Sequence, residues 1–205
     1  MSTVEYVQAA LMTALRRGDL APGSWLRQDD LAEGLGVSKI PVREALQRLA
    51  GVGLLRFERN RGVQVPELAP DDAEEIFELR RGVEVGLLTR ALPRMTKVDL
   101  AEAEFALESA SDAMTEANWL FHSALYRAAS WSRGLAWAEI LHAAVAPYVQ
   151  LYVEALGGAD RSEAEHAALL KACQRGDVPS AVETLRGHLD RAEAALVDGL
   201  RQSRD

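Results

Sequence analysis

The chain has 205 residues, of which 48% are hydrophobic and 26% charged, the composition of an ordinary soluble globular protein with room for one large domain or two small ones. No run approaches the roughly 20 apolar residues that span a bilayer, the N-terminal charges sit at the wrong end for a signal peptide, and the single cysteine, Cys173, excludes an internal disulfide, so a cytoplasmic protein with no membrane partner is expected. The net charge of −8 conceals an asymmetry: residues 1–66 carry nine Lys and Arg against seven Asp and Glu, and between Lys39 and Arg61 six basic residues face only Glu44 and Glu58.

Val4, Val7, Ala10, Leu11 and Ala14 or Leu15 recur at helical spacing as far as Gly18, which predicts a first amphipathic helix. Asp29 and Asp30 at a helix start, the apolar Leu31, Ala32 and Leu35, and Gly36 at a C-cap position predict a short second helix. Ser38 as N-cap, Pro41 in the first turn and the stripe Val42, Ala45, Leu46, Leu49 and Ala50 predict a third, ending near Gly51 to Gly53. The last two, joined by Gly36-Val37-Ser38, make a helix-turn-helix. Leu54 to Glu58 and Val63 to Val65 read as strands around Arg59-Asn60-Arg61-Gly62, a hairpin wing. Residues 67–70, between Pro66 and Pro70, form a connector, and from Asp71 onward the pattern is helical throughout. Breaks at Pro93, Ser111 to Thr115, Ser130 to Ser132, Gly157-Gly158 and Gly176-Asp177 divide that part into about six helices, with Asp71, Thr96, Ser132 and Ser180 as caps. The expected architecture is mainly α: a winged helix-turn-helix of three helices and a short hairpin over residues 1–66, then an all-α antiparallel bundle over 71–205. Cys173 is read as a packing residue of that bundle.

The stretch from Leu20 to Val65, LAPGSWLRQDDLAEGLGVSKIPVREALQRLAGVGLLRFERNRGVQV, resembles the GntR-family winged helix almost end to end. The remainder resembles the FCD ligand-binding domain of the FadR subfamily, on Glu78-Leu79-Arg80-Arg81, Glu84, Phe121-His122, His166, Gly176-Asp177 and His188-Leu189. A basic run on a helix, taken alone, is ordinarily a solvated face; the linked wing and motif favour a DNA surface. A recognition helix offers its first turn to base edges and phosphate, so Ser38, Lys39, Ile40 and Arg43 can reach the groove. Arg43 is the residue expected to read a base, by a bidentate contact to guanine. The resembling family commonly has Arg and Thr where this chain has Lys39 and Ile40. A point charge and an apolar side chain, suited to a thymine methyl, therefore replace a fork and a hydroxyl. Arg59, Arg61 and Gly62 of the wing are expected at the backbone or minor groove, and Glu44 is expected to hold Arg43 or the helix end.

In the FCD family an Asp and three His bind a divalent metal, and the matching positions are Asn118, His122, His166 and His188. Asn118 and His122 are one i,i+4 step apart and share a helix face. The family's Asp is here an amide, which can coordinate but contributes no charge. Zinc or nickel suits three neutral imidazoles. A site with neutral ligands keeps the full charge of the ion, which favours an anionic effector such as a small organic acid, with Arg80 as a second clamp on its carboxylate. His142 lies outside the resemblance, and Trp119, Phe121, Tyr126, Trp131, Trp137, Tyr148 and Tyr152 are read as core rather than as ligand contacts. The resemblance implies a non-enzymatic regulator, a repressor or an activator, that acts as a homodimer on a near-palindromic double-stranded operator. Two alternatives stay open at this point: a metal-dependent hydrolase-like protein, and a regulator whose metal is purely structural.

Overall fold

The computed structural model describes residues 1–59, 61–109, 114–156 and 159–202, the side chains of 114, 150–156 and 159–161 excepted. Helix α1 (Thr3–Arg17) opens on a reciprocal cap in which Ser2 Oγ accepts from the Glu5 N–H and the Glu5 carboxylate accepts from the Ser2 N–H. It ends where Gly18 takes φ 74°. Helices α2 (Gln28–Leu35) and α3 (Lys39–Gly51) follow, separated by a turn that needs Gly36 at φ 65°. Ser38 stands at the N-cap of α3 but makes no side-chain cap bond, so its hydroxyl is not engaged by the helix.

The wing holds one strand more than expected. Strands β2 (Arg56–Glu58) and β3 (Gly62–Gln64) form the hairpin, and β1 (Trp25–Leu26) adds to the other edge of β3, giving the antiparallel order β1-β3-β2. Trp25 pairs with Gln64 and Leu26 with Val63; two residues are too few to show an alternating pattern in sequence. Leu54 and Leu55 precede the strand and are buried instead. Asn60, assigned to the hairpin turn, lies outside the described residues. Val7, Leu11, Leu15, Val42, Leu46, Leu49, Leu54 and Val63 form the core of this part.

From Pro70 the described residues are helical apart from short connections: α4 (Pro70–Ala91), a 3-10 turn at Leu92–Arg94, α5 (Lys97–Glu108), α6 (Met114–Tyr126), a second 3-10 turn at Arg127–Ala129, α7 (Ser132–Leu156), α8 (Ala159–Gln174) and α9 (Val178–Gln202). Helix α4 therefore starts inside the expected connector, because proline tolerates the first helical position. Thr96 caps α5 as expected. Asp71 does not cap α4, since Asp72 accepts from the Ala69 N–H, and the cap of α9 is Asp177, which accepts from Ser180. The breaks assigned to Gly157-Gly158 and to most of Ser111 to Thr115 fall outside the described residues. Phe77, Leu87, Leu88, Phe121, Leu125, Leu169, Leu185 and Leu189 build the bundle core, with Cys173 among them.

The two parts are joined by more than the chain. Tyr148 of α7 donates to the Pro66 carbonyl and accepts from the Leu68 N–H at 2.6 Å, which pins the connector. Ala143, Ile140 and Ala144 of α7 pack into the winged-helix core. Arg16 of α1, 7% exposed, forms ion pairs with Glu116 of α6 and Glu139 of α7.

Candidate functional site

Helix α3 turns Val42, Ala45, Leu46 and Leu49 inward, and helical geometry then puts Lys39, Ile40 and Arg43 outside. Ser38, Lys39, Ile40, Arg43, Arg59, Arg61 and Gly62 are all exposed, Ile40 to 78%. Lys39 makes an ion pair of 2.8 Å with Asp29 of α2, both exposed, a contact weak enough for phosphate to replace. Glu44 pairs with Arg48 at 2.6 Å rather than with Arg43, so Arg43 projects without that tether.

The histidines meet in the bundle. Helix α6 supplies Asn118 and His122, α8 supplies His166 and α9 supplies His188. One ligand atom from each histidine lies within 4.8 Å of the others, and the His166 and His188 ring centroids are 4.6 Å apart. His122 is fully buried and His166 and His188 nearly so. Asn118 Oδ1, His122 Nε2 and His166 Nε2 are buried without a hydrogen-bond partner. Leaving such an atom unpaired costs about 1–3 kcal/mol, so the two unpartnered imidazole nitrogens beside His188 form a donor set that fits a cation, with Asn118 one helical turn before His122 as a further unpartnered oxygen. Burial first, then the neighbouring imidazoles, holds His122 and His166 well below the usual histidine range, in the neutral form a metal ligand requires.

A second layer backs this cluster, and most of it was not visible in sequence. His122 Nδ1 is 3.1 Å from Tyr126 Oη, and Tyr126 donates to Glu84 Oε2 at 2.7 Å. Arg80 donates from Nε to Glu84 Oε1 at 2.6 Å, and its Nη2 lies 2.9 Å from His142 Nε2. Burial, then Arg80, lowers His142 to about 4 against the opposing pull of Glu84. The ring is therefore neutral, and its Nε2 faces both Arg80 Nη2 at 2.9 Å, which only donates, and Glu84 Oε2 at 3.2 Å, which only accepts, so the tautomer decides which of the two it serves. Burial would raise the Glu84 carboxyl, but Arg80 and then His142 hold it well below its ordinary value. His188 Nδ1 is 2.8 Å from Glu165 Oε2, and Arg191 binds the other oxygen of that carboxylate. Sequence reasoning gave His142, Glu84 and Glu165 no part in the site and read Tyr126 only as core. The i,i+4 spacings of Arg80 to Glu84 and of His122 to Tyr126 were the signal that could have found two of them.

Trp119, Phe121, Tyr126 and Tyr148 are buried as expected, whereas Trp131 and Trp137 are about half exposed, at 47% and 53%; the side chain of Tyr152 lies outside the described residues. On its other side α6 lines, with α5, a surface groove of about 640 Å³ that includes Val98, Phe105 and Leu120. Among the described residues, no helix is long and apolar enough to cross a membrane.

A winged helix with an open recognition face, carried on a helical bundle that buries a histidine cluster, defines a DNA-binding regulator with a sensing domain. Residues 3–65 match the gntR family of bacterial regulatory proteins and residues 75–191 match the FCD domain. The HTH-type transcriptional regulator McbR of Escherichia coli (strain K12) is 32% identical over 165 residues, 77% of this chain and 75% of that protein. The solved structure of E. coli McbR/YncC superposes with a TM-score of 0.87 at 27% identity over 100% of both chains. A protein from Rhodococcus sp. RHA1 described as a GntR transcriptional regulator gives 0.80 at 25% identity, over 97% of this chain and 99% of that one. The chain belongs to the GntR family: it is a DNA-binding transcriptional regulator with an FCD effector-binding domain, in a family of regulators rather than enzymes.

Proposed function

We propose that this regulator is a homodimeric repressor whose operator affinity is set by a small organic acid bound at or near a divalent ion, zinc or nickel, in the FCD domain. Residues 1–66 read a near-palindromic operator, 67–70 connect, and 71–205 hold the effector and the dimer contacts. Ser38, Lys39, Ile40 and Arg43 meet the groove and Arg59, Arg61 and Gly62 meet the backbone or minor groove; their exposure supports this. The open apolar groove between α5 and α6, with Phe105 and Leu120 exposed, supports self-association.

The observation that carries the sensor reading is the pair of unpartnered buried nitrogens on His122 and His166 beside His188, with the unpartnered Asn118 Oδ1 one turn before His122 on α6. Asn118, His122, His166 and His188 would hold the ion, which when bound supplies a Lewis-acidic positive charge for an anion to meet. Arg80, in the same buried cluster, is the candidate for a second contact to the carboxylate. Asn118→Asp should tighten metal retention and His166→Ala should weaken it severely, read as metal content of dialysed protein. Unchanged retention in both would end the metal reading and leave the DNA-binding assignment intact. A thermal-shift panel of carboxylates separates an effector site from a structural ion, since only the former responds to the acids.

A further inference from the structure

We infer that two carboxylates outside the ligand set, Glu165 directly and Glu84 through Tyr126, act as positioning residues that lock His188 and His122 in the Nδ1–H tautomer and aim their Nε2 lone pairs into the cluster. The proton positions follow from the partners. Tyr126 gives its hydroxyl proton to Glu84 Oε2 at 2.7 Å, so its oxygen is left to accept, and the contact of 3.1 Å to His122 Nδ1 requires Nδ1 to carry the proton. His122 Nε2 then bears the lone pair, and it is the buried atom without a partner. A carboxylate only accepts, so the 2.8 Å contact from His188 Nδ1 to Glu165 Oε2 likewise puts the proton on Nδ1 and leaves Nε2 to donate its pair.

The two locks come from different helices and differ in kind. Glu165 precedes His166 on α8, and successive helical residues point about 100° apart. One turn thus delivers a ligand to the cluster and a carboxylate to the ring on α9. Arg191, one turn after His188, holds the far oxygen of Glu165 and fixes the carboxylate in place. Burial opposes ionisation of Glu165, but the bonds from His188 and then Arg191 keep its carboxyl below the ordinary range. Asn118 brings no charge to the ion, and Glu165, one hydrogen bond behind His188, sets a carboxylate on that ring and raises its donor strength.

This inference rests on the metal-site reading, and its test separates the two. In full-length metal-free protein, two-bond proton–nitrogen NMR correlations report the tautomer of each imidazole, and zinc titration against a competing chelator reports affinity. His188 and His122 should be Nδ1–H in the native chain. Glu165→Leu should release the His188 tautomer and lower zinc affinity about 10- to 100-fold. Glu165→Gln, which keeps an accepting oxygen without the charge, should retain the tautomer and lose part of that affinity; it also carries the test if the leucine variant does not fold. Tyr126→Phe should release His122 alone. Nε2–H tautomers in a native chain that binds zinc, or zinc affinity unchanged in both Glu165 variants, would overturn the inference. Locked tautomers in a native chain that takes up no zinc would instead overturn the metal site, and the tuning role with it.

Discussion

The Arg16 guanidinium of α1 holds both oxygens of Glu116 on α6, with Nε at 2.8 Å and Nη2 at 3.2 Å, across the junction between the winged helix and the bundle. Glu116 stands two residues before Asn118 on the same helix. Arg16 thus ties α6, the helix that carries Asn118 and His122, to the first helix of the DNA-reading part by a contact that does not run through the connector.

Replacing Arg16 by Met removes one member of a largely buried network and leaves Glu116 without its partner. The expected loss is about 1–3 kcal/mol of folding stability, read from urea unfolding. Combined with Glu116→Gln the loss should be smaller than the sum of the single effects, by at least about 0.5 kcal/mol. Strictly additive losses would show that the pair contributes nothing as a pair.

On the recognition helix, Arg43→Ala should cost operator affinity about 1–3 kcal/mol while circular dichroism and the oligomeric state stay as in the native chain. Ile40→Thr should change base preference at one position per half-site more than it changes overall affinity, because an apolar contact to a thymine methyl is exchanged for a hydroxyl. Footprints and affinities that do not move in either variant would place base readout on other residues.

Binding should also weaken steeply with salt. Lys39, Arg43, Arg59 and Arg61, taken from each of two subunits, give a log–log slope on the order of −4 to −8 as counterions leave the phosphates. A flat dependence between low and physiological salt excludes the proposed surface.

Stability should fall on mild acidification. Burial, with Arg80 adding to it, lowers His142 to about 4, whereas the unfolded ring takes a proton near pH 6.5. Between those values the unfolded chain binds more protons, so stability is fully present above about pH 6.5 and is lost progressively as pH falls toward 4. The lowered values of His122 and His166 act in the same direction. The urea midpoint should drop between pH 7 and 5, and His142→Gln should reduce that slope; a midpoint independent of pH would contradict the burial of neutral rings.

The helices of the reading head were legible because each carries a local signal: the stripe Val42, Ala45, Leu46 and Leu49, the glycine at 36, the cap at Ser38. β1 was not, since Trp25 and Leu26 are a strand only because β3 runs beside them. The same contrast divides the sensing site. His122, His166 and His188 could be named from the resemblance, whereas His142, Tyr126, Glu84 and Glu165 acquire their roles only when α4, α6, α7, α8 and α9 are brought together. Tyr126 was legible as core but not as the bridge between a ring and a carboxylate, because burial is written in periodicity and hydrogen-bond partnership is not.

Ala143 belongs to the bundle by sequence and to the winged helix by packing, seated with Ile140 and Ala144 of α7 in the head's own core. Head and sensor in that sense pack as a fitted pair. A recombinant that crosses over in the connector at 67–70 would set a foreign α7 against α1 and lose both the Ala143 seat and the acidic grip on Arg16. A chimera that keeps these contacts has to carry α1 together with its facing stretch of α6 and α7, so the structural seam of this protein runs along a helix surface rather than across the chain.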